Sequence, residues 1–523
     1  MSKTRAISSI ALLLATYLSV TLTYLGIDKF YYVLAGGRKF ATFPDLIWQL
    51  GIGGSYVLLS ILYLIWLAIA YRSASLYEQW RFRDVLSSTA IFSLLAFISY
   101  PLGNDIYIYL HAGLMNLSQA NPYLIRAAAY TTELSLYVDW GQTSTYGPVS
   151  QLLFTISAAF VPANPIVAVY VFKLFCLALH LLNGYVLWRW LPARYRTIVT
   201  IAYLVNPVLL IEQVGSAHVD VLVSTSLVFF AFCLAKQRYW GGFVVLWGGL
   251  LSKTLPIIWA PWVGLYFVRQ RRWGLLLSMI LVSGAIVAAL TVTVLPSVPA
   301  WRSLLNPGVE GQYQSSLMSI ARFGFDAVRI LRPEVLTLAQ QHDGLNAIAS
   351  KLTISFFAFY SWQLWQGWKR WDSTPEQLIE GMGWTTLTLM LFATPWLMPW
   401  YCTIPLTFAA LVPQARLLAL TSLAFGLSSS AQYLLMNNSA IKSLTSVGLP
   451  ILVLIVGAWV LRSEIMSTEQ SAAEPEPVQS VPQSSDTVIP VGRNSEETDT
   501  LTPAIELQEG TDTHLPQNNV SSG

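Results

Sequence analysis

The stretch Asn104-Asp105-Ile106-Tyr107-Ile108-Tyr109 follows directly on an apolar run that ends near Tyr100, and it leads to Asn121-Pro122-Tyr123. Most of the chain on either side of it is apolar enough to lie in a membrane. A charged group beside lipid costs free energy, so an acid at the mouth of a membrane helix is a candidate functional residue. The stretch therefore predicts a fold of membrane helices and draws attention first to Asp105.

The composition is that of a membrane protein. Of the 523 residues, 54% are hydrophobic and 11% are charged, whereas about a quarter of the residues in soluble domains are charged. Twenty tryptophans and 25 tyrosines suit a chain with two water–lipid boundaries, where amphipathic rings collect. The cysteines, which are Cys176, Cys233 and Cys402, lie in apolar runs without metal or disulfide spacing.

Residues 467–523 have a different character from the rest. They carry ten acids against one base, so residues 1–466 hold about +12 of an overall charge of +3. This segment is rich in Ser, Pro, Gln, Thr and Glu, and it cannot bury enough apolar surface to offset the entropy of ordering. We expect a polytopic membrane domain at 1–466 and a disordered, acidic, cytoplasmic tail at 467–523.

The apolar runs set the number of expected spans, because a helix needs about 20 apolar residues to cross the hydrocarbon core. The runs are 6–26, 47–71, 85–102, 147–162, 165–188, 197–214, 217–235, 240–252, 254–268, 273–296, 350–368, 381–396, 398–413, 417–435 and 444–461. Several are short or broken by Gly and Pro, so we expect an all-α integral membrane protein with about 12–14 transmembrane helices. The first run lacks a cleavage pattern and is expected to be retained.

The basic residues predict the orientation. Clusters that can all be cytoplasmic are Lys3 with Arg5, Arg72 to Arg83, Arg269 to Arg272, and Lys369 with Arg370. This places 103–146, 297–349 and the turn Pro395–Tyr401 outside. The group Arg189, Arg194 and Arg196 fits only if 147–162 or 165–188 does not cross, so we expect Ser150–Pro162 to be a half-helix entering from the outside.

Two outer segments predict amphipathic helices that lie on the membrane interface. In 103–124, the stripe Ile106, Tyr109, Leu110, Leu114 and Leu117 has helical spacing. An equal interpretation of the acid at its start is a helix cap formed by Asn104 or Asp105. In 315–332, arginines alternate with apolar residues, so they can bind either a phosphate or lipid headgroups.

A few polar residues interrupt the apolar runs, and each needs a partner or a wet cavity. They are Lys173, His180, Asn183, the group Glu212, His218 and Asp220, and Lys253 before a proline. An internal ion pair such as Lys173 with Glu212 is one explanation. No nucleotide-binding P-loop, zinc-protease, serine-hydrolase or Asp-x-Asp motif is found, so an enzyme here needs a donor that is not a soluble nucleotide.

Several short motifs occur in a fixed order along the chain. They are the Asp-x-Tyr-x-Tyr stretch from Asp105, His111-Ala112-Gly113, Asn121-Pro122-Tyr123, Tyr146-Gly147-Pro148, Asn206-Pro207, Gly215 to Asp220, Lys253-Thr254-Leu255-Pro256 and Pro399-Trp400-Tyr401. In this order the chain resembles bacterial glycosyltransferases of the multi-spanning GT-C type, closest to the mannosyltransferases that depend on polyprenyl-phosphate mannose. The resemblance covers about residues 85–410.

The resemblance implies an inverting transfer in which Asp105, at the position of the family's carboxylate, is the general base. One base suffices because the lipid phosphate leaves as an anion, whereas glycosidases need two carboxyl groups. Candidates to hold the donor phosphate are Arg322, Lys253 and His218. Further substrate-site candidates are Asn104, Tyr109, Tyr146, Asp220, Trp400 and Tyr401. No motif requires a cofactor or a metal, although a divalent metal is left open.

The expected partners are membrane lipid, a polyprenyl-phosphate sugar with mannose as the favoured sugar, and a glycan or glycolipid acceptor, but no nucleic acid. The likeness to bacterial enzymes favours the inner or plasma membrane with the site on the periplasmic face. The alternative is a polytopic lipid or solute transporter or flippase, which many spans and buried charges also fit. A scaffold acting through its acidic tail, and a transferase of another sugar, are further alternatives.

Overall fold

The structure is a computed structural model, and it describes residues 3–30, 46–73, 77, 79–138, 140–305, 312–332, 334–370 and 372–473. The contacts of Met1–Ile465 form one compact unit, and those of Met466–Gly523 form a second. The predicted tail at 467–523 lies almost entirely outside the described residues. Its disorder and its cytoplasmic side therefore stay predictions.

Helices make up nearly all of the secondary structure in the described residues. The α-helices are α1 Lys3–Phe30, α2 Leu46–Arg72, α3 Phe82–Ile98, α4 Asp105–Leu117, α5 Pro148–Ala158, α6 Pro165–Trp190, α7 Ala193–Leu204, α8 Asp220–Ala235, α9 Tyr239–Leu250, α10 Ala260–Arg269, α11 Trp273–Thr293, α12 Val298–Leu305, α13 Leu317–Leu331, α14 Leu338–Arg370, α15 Pro375–Thr388, α16 Thr403–Leu411, α17 Arg416–Leu434 and α18 Ser439–Ala473. The only β-type pairing in that part of the chain is a single parallel bridge between Gln314 and Trp396.

The all-α membrane class is confirmed. Among the described residues, five helices have the length and apolar composition to cross a membrane, and the bent pair Ala193–Leu204 and Leu209–Gly215 makes six if it counts as one span. The five are Leu46–Arg72, Pro165–Trp190, Trp273–Thr293, Arg416–Leu434 and Ser439–Arg462. Helices of this length do not reach the expected 12–14, because several of the other apolar runs fold as shorter helices.

Local backbone chemistry explains why those runs divide. The predicted span 197–214 bends by 56° between α7 and the π-helix Leu209–Gly215. The run at 254–268 starts as a 3₁₀ helix with Pro256 in its first turn, since proline lacks the N–H that continues a helix. The expected half-helix at Ser150–Pro162 forms as α5, which has 11 residues and is too short to cross at about 1.5 Å per residue. The side from which it enters stays a prediction.

The two predicted amphipathic helices form, and they differ in how deeply they are packed. In α4, the predicted stripe residues Ile106, Tyr109 and Leu110 are buried, but Tyr107 and His111 on other faces are buried as well. This helix is therefore enclosed by protein on most sides. In contrast, α13 has an exposed outer side, and the Ser316 hydroxyl caps its N-terminus.

Close helix packing beside the site depends on two glycines. A Cβ at Gly113 of α4 would lie 2.3 Å from the carbonyl oxygen of Phe154 in α5, and a Cβ at Gly147 would lie 2.2 Å from the carbonyl oxygen of Leu251. Neither position has room for a side chain. The second half of α4 is therefore held against the middle of α5, and the start of α5 is held against the loop before Lys253.

Candidate active site

Asp105 is the first residue of α4, where its charge faces the positive end of the helix. Its side chain is 18% exposed. The preceding Asn104 has helical backbone angles, and its side chain forms no capping hydrogen bond. The explanation that the Asn104 side chain caps the helix is therefore wrong. The Asp105 carboxylate lies at the edge of the protein interior and is accessible.

His218 faces this carboxylate. Its Nδ1 lies 3.5 Å from Oδ2 of Asp105 and 3.5 Å from the hydroxyl of Tyr109. The ring stacks on Trp400 with the centroids 3.8 Å apart. The structure thus brings together four predicted site residues from three separate parts of the chain.

A second carboxylate lies on the far side of the imidazole. The Nε2 of His218 is 3.5 Å from Oε2 of Glu212, which is fully buried. Tyr56 of α2 donates a hydrogen bond to Oε1 of Glu212 at 3.1 Å, and Tyr433 of α17 donates to Oε2 at 3.3 Å. Sequence reasoning grouped Glu212 with His218 but left it out of the site, and nothing in the sequence linked either tyrosine to them.

Asp220 and Lys253 form an ion pair beside this cluster. The Nζ of Lys253 donates to both carboxylate oxygens of Asp220, at 2.9 and 3.0 Å. The same ammonium group lies 4.5 Å from the ring centre of Tyr401, a cation–π distance. The Asp220 side chain is fully buried and that of Lys253 is 19% exposed, so this pair lies at the edge of the interior, as Asp105 does.

Tyr146 completes the wall on the α5 side. Its hydroxyl lies 3.4 Å from that of Tyr109, whose ring stacks on Phe154 with the centroids 4.7 Å apart. The backbone N–H of Gly147 donates to the carbonyl of Ser252 at 3.1 Å. The Tyr-Gly-Pro motif is thereby held directly against the loop that carries Lys253.

The electrostatic environment makes Asp105 a base that is suited to neutral pH. Asp105 lies outside the helices that qualify as membrane spans. Burial raises the pKa of Asp105 to about 7; the nearby Asp220 charge adds to the rise, while Lys253 and Tyr109 oppose it. Burial also holds the pKa of His218 well below its usual range, and the Lys253 charge acts in the same direction. A general base works best when its pKa is near the operating pH.

The structure also locates the remaining polar residues of the apolar runs. Lys173 donates to the carbonyls of Ala96 and Ser99 at the end of α3, so the ion pair with Glu212 that was one explanation for it is not formed. His180 lies 3.3 Å from the carbonyl of Leu204. These two side chains satisfy helix-end carbonyls.

Arg322 is the predicted site residue that the structure does not connect with the others. It is on α13, its side chain is 50% exposed, and its Nε lies 3.7 Å from Asp326. Asp326 also lies 3.6 Å from Arg329. No contact in the described part of the chain joins Arg322 to Asp105 or His218, so a role in holding the donor phosphate stays a prediction.

A metal ion would need several His, Cys, Asp or Glu ligands close together. Within the described ranges, no group of three or more His, Cys, Asp and Glu side chains is placed to hold one. The expectation that the reaction needs no metal stays a prediction.

One protein family is similar to the part of the chain that carries the site. Residues 43–269 match the family model MptA_B, described as alpha-(1->6)-mannopyranosyltransferase, N-terminal domain. The matched range includes Asp105, Glu212, His218, Asp220 and Lys253, and it ends before α13. No curated protein and no solved structure gives a significant match. The resemblance predicted from the ordered motifs is confirmed: residues 43–269 are similar to the N-terminal domain of the MptA/B family of α-(1→6)-mannopyranosyltransferases.

Proposed function

We propose that this protein transfers mannose from a polyprenyl-phosphate donor to a hydroxyl of a glycan or glycolipid acceptor, with Asp105 as the general base. The observation that carries the proposal is the position of Asp105 at the start of α4, partly exposed and 3.5 Å from the imidazole of a buried histidine. Similarity to the family supplies the sugar and the class of linkage.

The chemistry needs one base. An acceptor hydroxyl attacks the anomeric carbon, its proton passes to the Asp105 carboxylate, and the bond from the anomeric carbon to the phosphate oxygen breaks. The polyprenyl phosphate leaves as an anion, so no strong acid is needed. An inverting transfer that creates an α linkage requires a donor whose mannose is β-linked. General base catalysis contributes about 10²–10⁴-fold to such a step.

Other side chains of the site have supporting roles. Lys253 carries the positive charge nearest to Asp105, and its partly exposed ammonium group can offset charge that grows on the leaving phosphate. Tyr109, whose hydroxyl contacts His218, lowers the pKa of Asp105 and so favours its ionised form. Tyr146 and Tyr401 flank these groups with hydroxyls and ring faces that suit a sugar.

The side of the membrane on which the site lies is inferred from the donor and from the charges of the chain. A donor with a long lipid tail has its phosphate at the membrane surface, and the distribution of positive charges predicts that 103–146 lies outside. We therefore propose a site on the outer face of a bacterial plasma membrane. The transporter alternative gains no specific support from the described geometry.

The decisive experiment uses the full chain in liposomes with radiolabelled polyprenyl-phosphate mannose, glucose and arabinose, each with a mannose-containing acceptor. We expect label in the acceptor from the mannose donor alone, and linkage analysis is expected to show an α-(1→6) product. Transfer from glucose or arabinose would change the sugar in the proposal. Movement of labelled lipid between leaflets without any transfer would favour a flippase instead.

A further inference from the structure

The motif Asn121-Pro122-Tyr123 has no part in the proposed transfer, although it is one of the ordered motifs of the chain. Tyr123 is buried, and its ring packs in a small apolar cluster with Leu295 and Leu304, which follow α11 and end α12. A buried tyrosine hydroxyl usually has a hydrogen-bond partner. Here the partner is the main-chain carbonyl of Tyr146, at 2.8 Å, so the motif reaches the candidate site through its last residue.

Asn121 anchors this tyrosine through the main chain. Its side-chain oxygen accepts the N–H of Tyr123 at 2.9 Å, a local turn that asparagine favours. Its side-chain amide donates to the carbonyl of Val294, directly after α11, at 3.0 Å. Because α11 is one of the candidate membrane spans, Tyr123 is fixed to a long helix and can hold another segment in place.

The segment that carries Tyr146 depends on such support. Residues 140–147 form neither helix nor strand, so no regular backbone ladder fixes the direction of the Tyr146 side chain. The Tyr146 hydroxyl nevertheless lies 3.4 Å from that of Tyr109, on the helix that begins with the proposed base. Side chains of a functional site keep a productive geometry when neighbouring hydrogen bonds and packing fix them.

One set of hydrogen bonds joins the start of α5 to the loop before Lys253. The N–H of Gly147 donates to the carbonyl of Ser252 at 3.1 Å, and the hydroxyl of Ser150 donates to the same carbonyl at 2.9 Å. These bonds do not involve Tyr123. They are therefore expected to persist, and to keep the ammonium group of Lys253 in place, when the hydroxyl of Tyr123 is removed.

A second set holds the residues before α5 from the side of α11 and α12. The N–H of Ser144 donates to the carbonyl of Pro122 at 2.8 Å, and the hydroxyl of Ser303 in α12 donates to the carbonyl of Ser144 at 2.7 Å. Tyr123 is the member of this set that bonds to Tyr146, the residue whose side chain reaches the site.

We propose that Tyr123 is a positioning residue for mannosyl transfer. Its hydroxyl holds the carbonyl of Tyr146, and this contact keeps the Tyr146 side chain where it meets the acceptor sugar beside Asp105. Tyr146 is assigned to the acceptor because it contacts the helix of the base, whereas the donor phosphate is expected at Lys253. This inference rests on the proposed function, and it adds a role for the Asn-Pro-Tyr motif.

The principal test is Tyr123→Phe in the full chain in liposomes. The kcat and the KM of each substrate are measured for transfer from polyprenyl-phosphate mannose to an alkyl α-(1→6)-mannobioside. The substitution keeps the ring in its apolar cluster and removes only the hydroxyl. We expect the KM for the acceptor to rise about tenfold, because a displaced contact group no longer meets the sugar in the required orientation. The KM for the donor should be unchanged, since the hydrogen bonds to the loop before Lys253 remain.

A double-variant cycle tests whether the effect passes through Tyr146. Tyr146→Phe alone should also raise the KM for the acceptor, because the hydroxyl that contacts the sugar is lost. In that background, Tyr123→Phe should cause no further rise, since the group that Tyr123 positions is already absent. A purely structural role of Tyr123 would instead lower the amount of active protein, and so the apparent kcat, in both backgrounds.

Tyr63→Phe is the matched control. Tyr63 of α2 also donates its hydroxyl to a main-chain carbonyl, that of Ala202 in α7, at 3.1 Å, and it should leave both KM values unchanged. If Tyr123→Phe does not fold, Asn121→Ala supplies the second test. It removes both hydrogen bonds that anchor the main chain of Tyr123, so the KM for the acceptor should rise in the same way.

The outcomes are distinct. An unchanged KM for the acceptor in folded Tyr123→Phe overturns the inference, and so does a rise in the KM for the donor alone. A rise of equal size in the Tyr146→Phe background, or in Tyr63→Phe, also overturns it, because the effect then does not depend on the Tyr146 side chain. Absence of mannosyl transfer by the wild-type protein to every mannose-containing acceptor would instead reject the proposed function, and the inference with it.

Discussion

Asp105 and Asp220 are each the first residue of a helix; the side chain of Asp105 is partly exposed and that of Asp220 is buried. Their partners differ. Asp220 binds the ammonium group of Lys253 at 2.9 Å, whereas Asp105 lies 3.5 Å from a neutral imidazole. A cation beside a carboxylate favours its ionised form and makes it a poor base, whereas burial without a cation does the reverse.

The position of an acid on a helix therefore does not by itself determine its chemistry. At both helix starts the macrodipole favours negative charge. The tertiary partners differ: Asp220 is paired with the ammonium group of Lys253, whereas Asp105 has no such direct pair and burial raises its pKa to about 7. We therefore assign proton transfer to Asp105, and we assign to Asp220 the task of fixing Lys253.

The largest expected effect is on catalysis. Asp105→Asn should lower the transfer rate by about 10²–10⁴-fold because the base is lost, as measured with labelled polyprenyl-phosphate mannose. Burial raises the pKa of Asp105 from 3.8 to about 7, so ionisation of this group opposes folding as the pH rises through that window. The variant should accordingly unfold at pH 8 at the wild-type temperature or above. Full activity of Asp105→Asn would remove the base from the mechanism.

The second largest effect is expected on stability, when Asp220 is substituted. Asp220→Asn leaves the ammonium group of Lys253 without its carboxylate, and breaking a buried pair from one side costs about 3–5 kcal/mol. We expect a clearly lower unfolding temperature in detergent. The double variant Asp220→Asn, Lys253→Met is the control and should recover part of the loss. A single variant as stable as the wild type would show that the pair is not structural.

The pH dependence of kcat/KM in the wild-type protein tests whether Asp105 differs from an ordinary acid. Asp105 must be ionised to accept a proton, so kcat/KM should fall about tenfold per unit as the pH drops below about 7. Above that pH the rate should be level until another group titrates. An acid limb near pH 4 would mean that Asp105 has an ordinary carboxylate environment, like that of an exposed acid.

The smallest effect, on the KM for the donor, is expected for a substitution in α13. Arg322→Ala removes an exposed arginine whose partner is Asp326, and surface pairs contribute about 0.2–1 kcal/mol, so the KM for the donor should rise by at most about fivefold. Arg329→Ala, which shares the same aspartate, is the matched control. An unchanged KM would leave Arg322 as a lipid-headgroup contact, and a rise of a hundredfold would place it in the donor site.

Much of this protein could be predicted from the sequence, because apolar runs and short ordered motifs are local signals. The all-α membrane class, the helices predicted within 103–124 and 315–332 and the likeness to mannosyltransferases all followed from them. The number of long spans did not, since π turns, 3₁₀ turns and prolines divide several of the runs. The partner of Lys173 was also missed, because backbone carbonyls leave no signature in a sequence.

From the sequence alone it follows that the chain lies in a membrane, that an acid begins the helix after Tyr100, and that a histidine and a second acid follow the turn near Gly215. Which of these groups meet depends on the packing of the helices. Tyr56 and Tyr433 are 377 residues apart in the sequence, yet both donate to Glu212. The physical reason is that proton affinity depends on burial and on charges within a few ångströms, and these distances are set by how the helices pack.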